Sequence, residues 1–321
     1  MRDFRPVTHH PILSRFPNQD KLGRMFPSFL PPTAQQLTEA TSIALAQQIH
    51  QHAVLTPLSS TPIATAFVQQ GTGNPPIVLL HGFDSSIFEF RRLLPLLAKQ
   101  HQTWAVDLLG FGLTERSPQL PFDPVAIKTH LYYTWKSLIG QPMILVGASM
   151  GGAAAIDFAL TYPDAVQQLV LIDSAGFAAA PAIGKFLIPP LGYLAAEFLR
   201  RPGVRRQVSL KAYVDSSFVT ADALLCAALH LESAYWHQAI IAFTKSGGYN
   251  FLADKIARIS HPTLVLWGDH DRILGTADAD KFQAAIAHSH LVWVPNCGHV
   301  PHLEKPQFVA EQILQVCAQV V

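Results

Sequence analysis

The chain has 321 residues, 49% of them hydrophobic and 14% charged, with a formal net charge of +1. That suits one large α/β domain, or a domain with an insertion, and excludes a disordered chain. The near-neutral balance gives no case for a nucleic-acid partner. Three cysteines, Cys226, Cys297 and Cys317, form an odd set without metal-ligand spacing, which favours a reducing, cytoplasmic compartment.

The first residues, MRDFRPVTHHPILSRF, carry charges but no continuous apolar run, so they do not read as a secretory signal. Residues 1–55 read as a Pro-rich lead-in followed by a helical arm. Thr33 is its expected cap, and Leu37, Ala40, Ile43, Ala44 and Ile49 have roughly helical spacing. The arm is expected to pack on the main domain.

Strands and helices then alternate. Residues 62–69 and 77–80 read as strands, 86–100 as a helix and 103–108 as a strand. A helix is expected over 123–139 with Asp123 as its N-cap. A strand over 143–146, a helix over 151–161 and a strand over 168–172 follow. The pattern resumes with a strand at 263–267, a helix at 277–287, a strand at 290–294 and a helix at 304–316. Continuous apolar strands between helices argue for a mostly parallel sheet covered on both faces. The stretch between, 176–255, is apolar and helix-prone, which predicts a helical cap inserted into a core of 56–175 and 256–321.

No span is long enough to cross a bilayer, which takes about 18 apolar residues. The nearest, FLIPPLGYLAAEF at 186–198, is short and carries Pro189-Pro190. The basic run LRRPGVRR follows it. That run reads as a solvated helix end whose charges complement the helix dipole. Its other reading is peripheral membrane contact through the cap, with arginines at anionic headgroups.

The motif with most chemical content is Gly147-Ala148-Ser149-Met150-Gly151, a G-x-S-x-G between an expected strand and an expected helix. There a serine sits on a strained turn with its hydroxyl above the sheet edge. Serine is a poor nucleophile alone and needs a base oriented by an acid, here expected later in the chain in the order Ser, Asp, His. Two later strands run into GDHDR and CGHVPH.

The stretches LLHGFDSS, DLLGFGLTE, VGASMGG, LWGDHDRIL and CGHVPHLEKP, in this order, resemble the α/β-hydrolase superfamily in its lid-bearing, serine esterase/lipase-like form. The resemblance spans roughly residues 60–320. It implies Ser149 as nucleophile, Asp271 as acid and His299 as base, with Asp269 and Asp173 as alternative acids. His302 reads as a surface or supporting residue. The resemblance also implies an oxyanion hole from the backbone N–H groups of Phe83 and Met150.

A serine at this position suits acyl transfer, because attack on an sp³ carbon calls for a carboxylate nucleophile. A carboxylic ester with a hydrophobic acyl or alcohol group is therefore the expected small-molecule substrate, with no metal or organic cofactor. Phe198, Tyr235, Trp236, Phe243 and Leu194 are candidate pocket walls. A C–C bond hydrolase, a cofactor-free perhydrolase, an acyltransferase and a ligand receptor on the same fold remain alternatives.

Overall fold

In the computed structural model, which describes residues 18–19, 25–177 and 190–318, the apolar runs assemble an eight-stranded sheet. The strands are β1 (His50–Val54), β2 (Ile63–Gln70), β3 (Ile77–Leu80) and β4 (Thr103–Val106), then β5 (Met143–Ala148), β6 (Val166–Ile172), β7 (Thr263–Gly268) and β8 (Ser289–Val294). Their spatial order is β1-β2-β4-β3-β5-β6-β7-β8. β2 pairs antiparallel with β1 and β4; every pair from β4 to β8 is parallel.

The helices, in chain order, are α1 (Ala40–Gln47), α2 (Leu94–Leu97), α3 (Pro124–Leu138), α4 (Met150–Thr161), α5 (Leu191–Arg200) and α6 (Pro202–Ala212). They continue with α7 (Ala221–Cys226), α8 (Trp236–Lys245), α9 (Ala277–Ala285), α10 (Pro301–Glu304) and α11 (Pro306–Cys317). Among the described residues, no helix is long and apolar enough to cross a membrane.

Alternate residues of the strands feed two cores, one on each face of the sheet. Val78, Leu80, Leu145, Leu171 and Val265 pack with α3, α4 and α9. Ile77, Leu79, Ile144, Val170 and Leu264 pack with α1, α2 and α11. Asp123 caps α3 as expected, accepting from Ala126 N at 2.8 Å.

Four expectations change. The arm is not one helix: a 3₁₀ turn at Pro32–Gln36 precedes α1, and the Thr33 hydroxyl bonds the Glu232 carboxylate instead of capping. Residues 50–54 leave the arm altogether and form β1, the sheet edge. HQHAV gives no apolar alternation because this strand buries only Val54 fully. The expected helix at 86–100 is a 3₁₀ turn (Ile87–Phe90) and the short α2, and the one at 304–316 starts three residues earlier and breaks at Lys305, before Pro306. Proline has no N–H to continue a helical ladder, which accounts for that break. The lead-in 1–17 and the apolar residues 186–189 lie outside the described residues.

α1 is tied to α7 by one buried carboxylate. Asp222 Oδ1 accepts from the N–H groups of Thr38 and Glu39, and Oδ2 from Ser42 Oγ at 2.6 Å. Asp222→Ala would leave these donors buried without partners. The expected loss is about 3 kcal/mol of unfolding free energy by urea denaturation; a loss under about 0.5 kcal/mol would show that water replaces the carboxylate.

Candidate active site

β5 ends at Ala148 and α4 starts at Met150, leaving Ser149 alone on the turn with φ 52° and ψ −119°. A residue with a Cβ is strained in that conformation. Ser149 N–H donates to Ile172 O at 2.9 Å, and Ser149 O accepts from Ala175 N at 3.0 Å. The end of β6 thus clamps the turn. Neighbouring glycines make room for it: a Cβ on Gly147 would lie 2.3 Å from Gly151 O, and one on Gly151 would lie 2.1 Å from Leu80 O.

Asp271 follows β7 and His299 follows β8. Asp271 Oδ2 bonds His299 Nδ1 at 2.8 Å. Asp271 Oδ1 accepts from Ile273 N at 2.7 Å and Leu274 N at 3.1 Å. Burial, the largest influence, pushes this carboxyl up, yet the His299 bond and the two amides outweigh it and hold it below the ordinary range. An ionised Asp271 makes Nδ1 the protonated nitrogen of His299, so Nε2 carries the free lone pair. His299 and Ser149 line the same cavity.

The other acids stand elsewhere. Asp269 accepts from Cys297 N at 3.2 Å and pairs with His270 at 2.6 Å, at the loop surface. Asp173 is fully buried behind Asp271 and accepts from Gly268 N at 3.0 Å. Its carboxyl is pushed well above the usual range, first by burial and then by the Asp271 charge.

Glu304 fixes the His299 loop. Its Oε2 accepts from Gly298 N at 2.8 Å and its Oε1 from Val214 N and Asp215 N at 3.0 and 2.8 Å. His299 N–H also donates to Ala212 O at 2.7 Å. Glu304 lies in the quoted HLEKP stretch, but residue type alone does not announce this function.

The loop after β3 is equally constrained. His81, with its pKa lowered to about 3 by burial, is neutral. Its Nε2 accepts from Leu108 N at 3.1 Å, so Nδ1–H donates to Gly82 O at 2.8 Å. Gly82 N–H donates to Glu89 Oε2 at 2.8 Å. Among the described residues, no hydrogen bond engages the N–H of Phe83 or Met150. Asp84 comes next, with φ 49°. It accepts from Trp236 Nε1 at 2.8 Å, His230 Nε2 at 3.0 Å and Arg205 Nη1 at 2.7 Å. Three parts of the helical stretch 190–258 are thereby anchored to one loop residue.

The cavity holds about 310 Å³. Leu199, Val204, Val208, Ala212, Ile273 and Leu303 supply apolar wall. The aromatic residues expected there lie elsewhere. Phe198 and Tyr235 are about half exposed, as is Leu194. Trp236 is buried in the core with its N–H on Asp84, and Phe243 packs between Phe111 and Phe83 at ring distances of 5.3 and 5.8 Å. α5 turns its aromatic stripe outward, so α6 supplies the wall. His302 is not at the surface: it is 1% exposed and lines the cavity.

A mostly parallel sheet with a strained serine between β5 and α4, and a paired aspartate and histidine after β7 and β8, defines an α/β hydrolase. The family model "Alpha/beta hydrolase family" matches residues 77–312, and the chain belongs to that family. It is 34% identical over 298 residues to the alpha/beta hydrolase domain-containing protein VTE7 of Arabidopsis thaliana, covering 91% of this chain and 90% of that protein. It is 27% identical to the 2-hydroxy-6-oxo-6-(2'-aminophenyl)hexa-2,4-dienoic acid hydrolase of Metapseudomonas resinovorans, with 88% and 94% of the two chains covered. It is 26% identical to the monoacylglycerol lipase ABHD6 of Homo sapiens, with 77% and 76% covered.

The Asp84 carboxyl is lowered to about 2, its hydrogen bonds and the charges of His230 and Arg205 outweighing burial. Its stabilisation is therefore full above about pH 4 and is lost as pH falls toward 2. Asp84→Asn is expected to lose about 2 kcal/mol at pH 7 by chemical denaturation, with the gap to wild type closing between pH 4 and 2. A gap independent of pH would refute the charge as its source.

Proposed function

We propose that this hydrolase is a serine enzyme that cleaves a carboxylic ester with a lipophilic acyl or alcohol group through an acyl-enzyme. The observation that carries this reading is the Asp271–His299 pair, with Nε2 free, on the mainly apolar cavity that Ser149 also lines. In this reading Ser149 Oγ attacks the ester carbonyl while His299 Nε2 takes its proton. Asp271 stabilises the imidazolium. The carbonyl oxygen, now negative, accepts from the N–H groups of Phe83 and Met150, which carry no other hydrogen bond among the described residues. His299 returns the proton to the leaving alcohol. Water, deprotonated by His299, then attacks the acyl-enzyme and releases the acid.

The helical stretch 190–258 acts as the cap over this cavity. The relative that hydrolyses a dienoic acid motivates C–C bond hydrolysis as a second reading, since the same triad serves both. The loop favours the ester: C–C bond hydrolases of the family carry a glycine-rich HG-x-GPG loop, whereas this chain has His81-Gly82-Phe83-Asp84-Ser85, with Asp84 committed to Arg205, His230 and Trp236.

The cap also supports contact with a lipid surface. α5 exposes Leu191, Leu194 and Phe198 next to Arg200, Arg201 and Arg206. Wild type is expected to sediment with anionic vesicles more than with zwitterionic ones, and Leu194→Asp/Phe198→Asp is expected to lower the bound fraction. Equal sedimentation of both proteins with both vesicles would reject the contact.

The deciding assay compares wild type, Ser149→Ala and Asp271→Asn on p-nitrophenyl esters from acetate to palmitate. Wild type is expected to turn over many equivalents, with both variants reduced by roughly three to four orders of magnitude in kcat. A single turnover per wild-type molecule would point to a receptor, and equal activity in all three proteins would remove Ser149 from the chemistry. Absence of ester turnover together with cleavage of a 6-oxo-dienoic acid would select the C–C reading.

A further inference from the structure

One wall of the cavity differs from the rest. Arg91, Glu89 and His302 line it beside the apolar residues. Arg91 is 3% exposed and His302 is 1% exposed. Arg91 donates Nη1 to Phe88 O at 3.1 Å, and Tyr213, also on the cavity wall, interacts with its guanidinium, while Nε and Nη2 reach no partner at full hydrogen-bond geometry. Neither ring nitrogen of His302 has one. Glu89 Oε2 stands 3.8 Å from His302 Nε2, too far for a hydrogen bond, and is already engaged by Gly82 N–H. Burial lowers the His302 pKa to about 3, so its ring is neutral and keeps one N–H to donate. Buried donors without partners are uncommon in folded chains, and one such donor at a cavity wall points to a group the cavity admits. Here two stand on the cavity of the nucleophile.

We propose that Arg91 and His302 form a polar subsite that receives a neutral acceptor oxygen of the substrate, a ketone or second ester carbonyl carried beyond the scissile group. The inference rests on the ester-hydrolase reading and narrows it to a bifunctional lipophilic ester.

Charge selects a neutral oxygen over an anion. Arg91 Nε lies 3.7 Å from Glu39 Oε2, and Asp222 also acts on this guanidinium. Glu39 is in turn held by Arg92 through Nε at 2.7 Å and Nη2 at 2.9 Å. The cation is therefore already balanced by carboxylates. A carbonyl oxygen supplies lone pairs to Arg91 Nη2 and to the His302 N–H without adding charge. The scissile ester stays at Ser149 while the second oxygen docks here.

The test uses p-nitrophenyl octanoate, its 4-, 5-, 6- and 7-oxo analogues, and the mono-p-nitrophenyl ester of suberic acid. Each is assayed on wild type, Arg91→Met and His302→Phe. Wild type is expected to favour at least one oxo analogue over the plain octanoate by about tenfold or more in kcat/KM. In each variant that ratio is expected to fall to about one. The ratio compares two substrates on one preparation, so a partly unfolded variant does not distort it. A wild-type ratio near one for every oxo analogue would overturn the subsite, as would a ratio that survives both substitutions. A preference for the suberate monoester would overturn the neutral-oxygen assignment in favour of an anion site. In either case the ester-hydrolase reading stands, whereas a wild type that turns over no ester removes both.

Discussion

Ser149 holds a backbone conformation that a residue with a Cβ avoids, and the rest of the site is arranged around keeping it there. The strain is local, but the restraints come from distant chain. β6 supplies Ile172 O to its N–H, and Ala175 N reaches its carbonyl. Glycines at 147 and 151 let α4 lie against the ends of β3 and β5 at distances no side chain permits. The parallel sheet brings those strand ends to one edge, so the turn, the loop after β3 and the loops after β7 and β8 share that edge.

Buried carboxyl groups set the shape of those loops, and each does so differently. Asp271 stays ionised against His299. Asp173, behind it, is driven toward the protonated form. Asp107, raised to about 7 mainly by burial, accepts from Ile87 N and Leu113 N, both at 2.6 Å, and so ties the loops after β3 and β4 together. Glu304 gathers three backbone N–H groups around the His299 loop. Asp84 stays ionised because Arg205, His230 and Trp236 converge on it. A carboxylate binds loops tightly because two oxygens accept several donors in a medium where water does not compete. The same fact ties α6 and α8 to the loop bearing Phe83, since Arg205 and Trp236 both bond its neighbour Asp84.

The helices α5 and α6 face different surroundings. α6 presents Val204, Val208 and Ala212 to the cavity, while α5 keeps Leu194 and Phe198 toward solvent. The apolar outer face and the apolar inner wall lie on consecutive helices. Leu199, near the end of α5, itself borders the cavity, so apolar surface runs from the exterior to the chamber of Ser149. That continuity suits a ligand arriving from an apolar phase.

The sequence by itself determined the alternation of strands and helices, the sharp turn at Ser149 and the placement of Asp271 and His299 at strand ends. Those features leave marks in residue type, because a tight turn demands glycine and a buried parallel strand demands a continuous apolar run. Only the tertiary structure decided that residues 50–54 form the sheet edge, since a half-solvated strand such as HQHAV pairs through its backbone and needs no apolar signature. It also decided the cavity wall: Phe198 and Val208 are both half-exposed apolar residues of a helical stretch, and which one borders the cavity depends on how α5 and α6 dock. The partners of Asp84 lie 121 to 152 positions away in the chain, and those of Glu304 up to 90. Contacts at such separations are chosen by packing, which no local pattern of residues records.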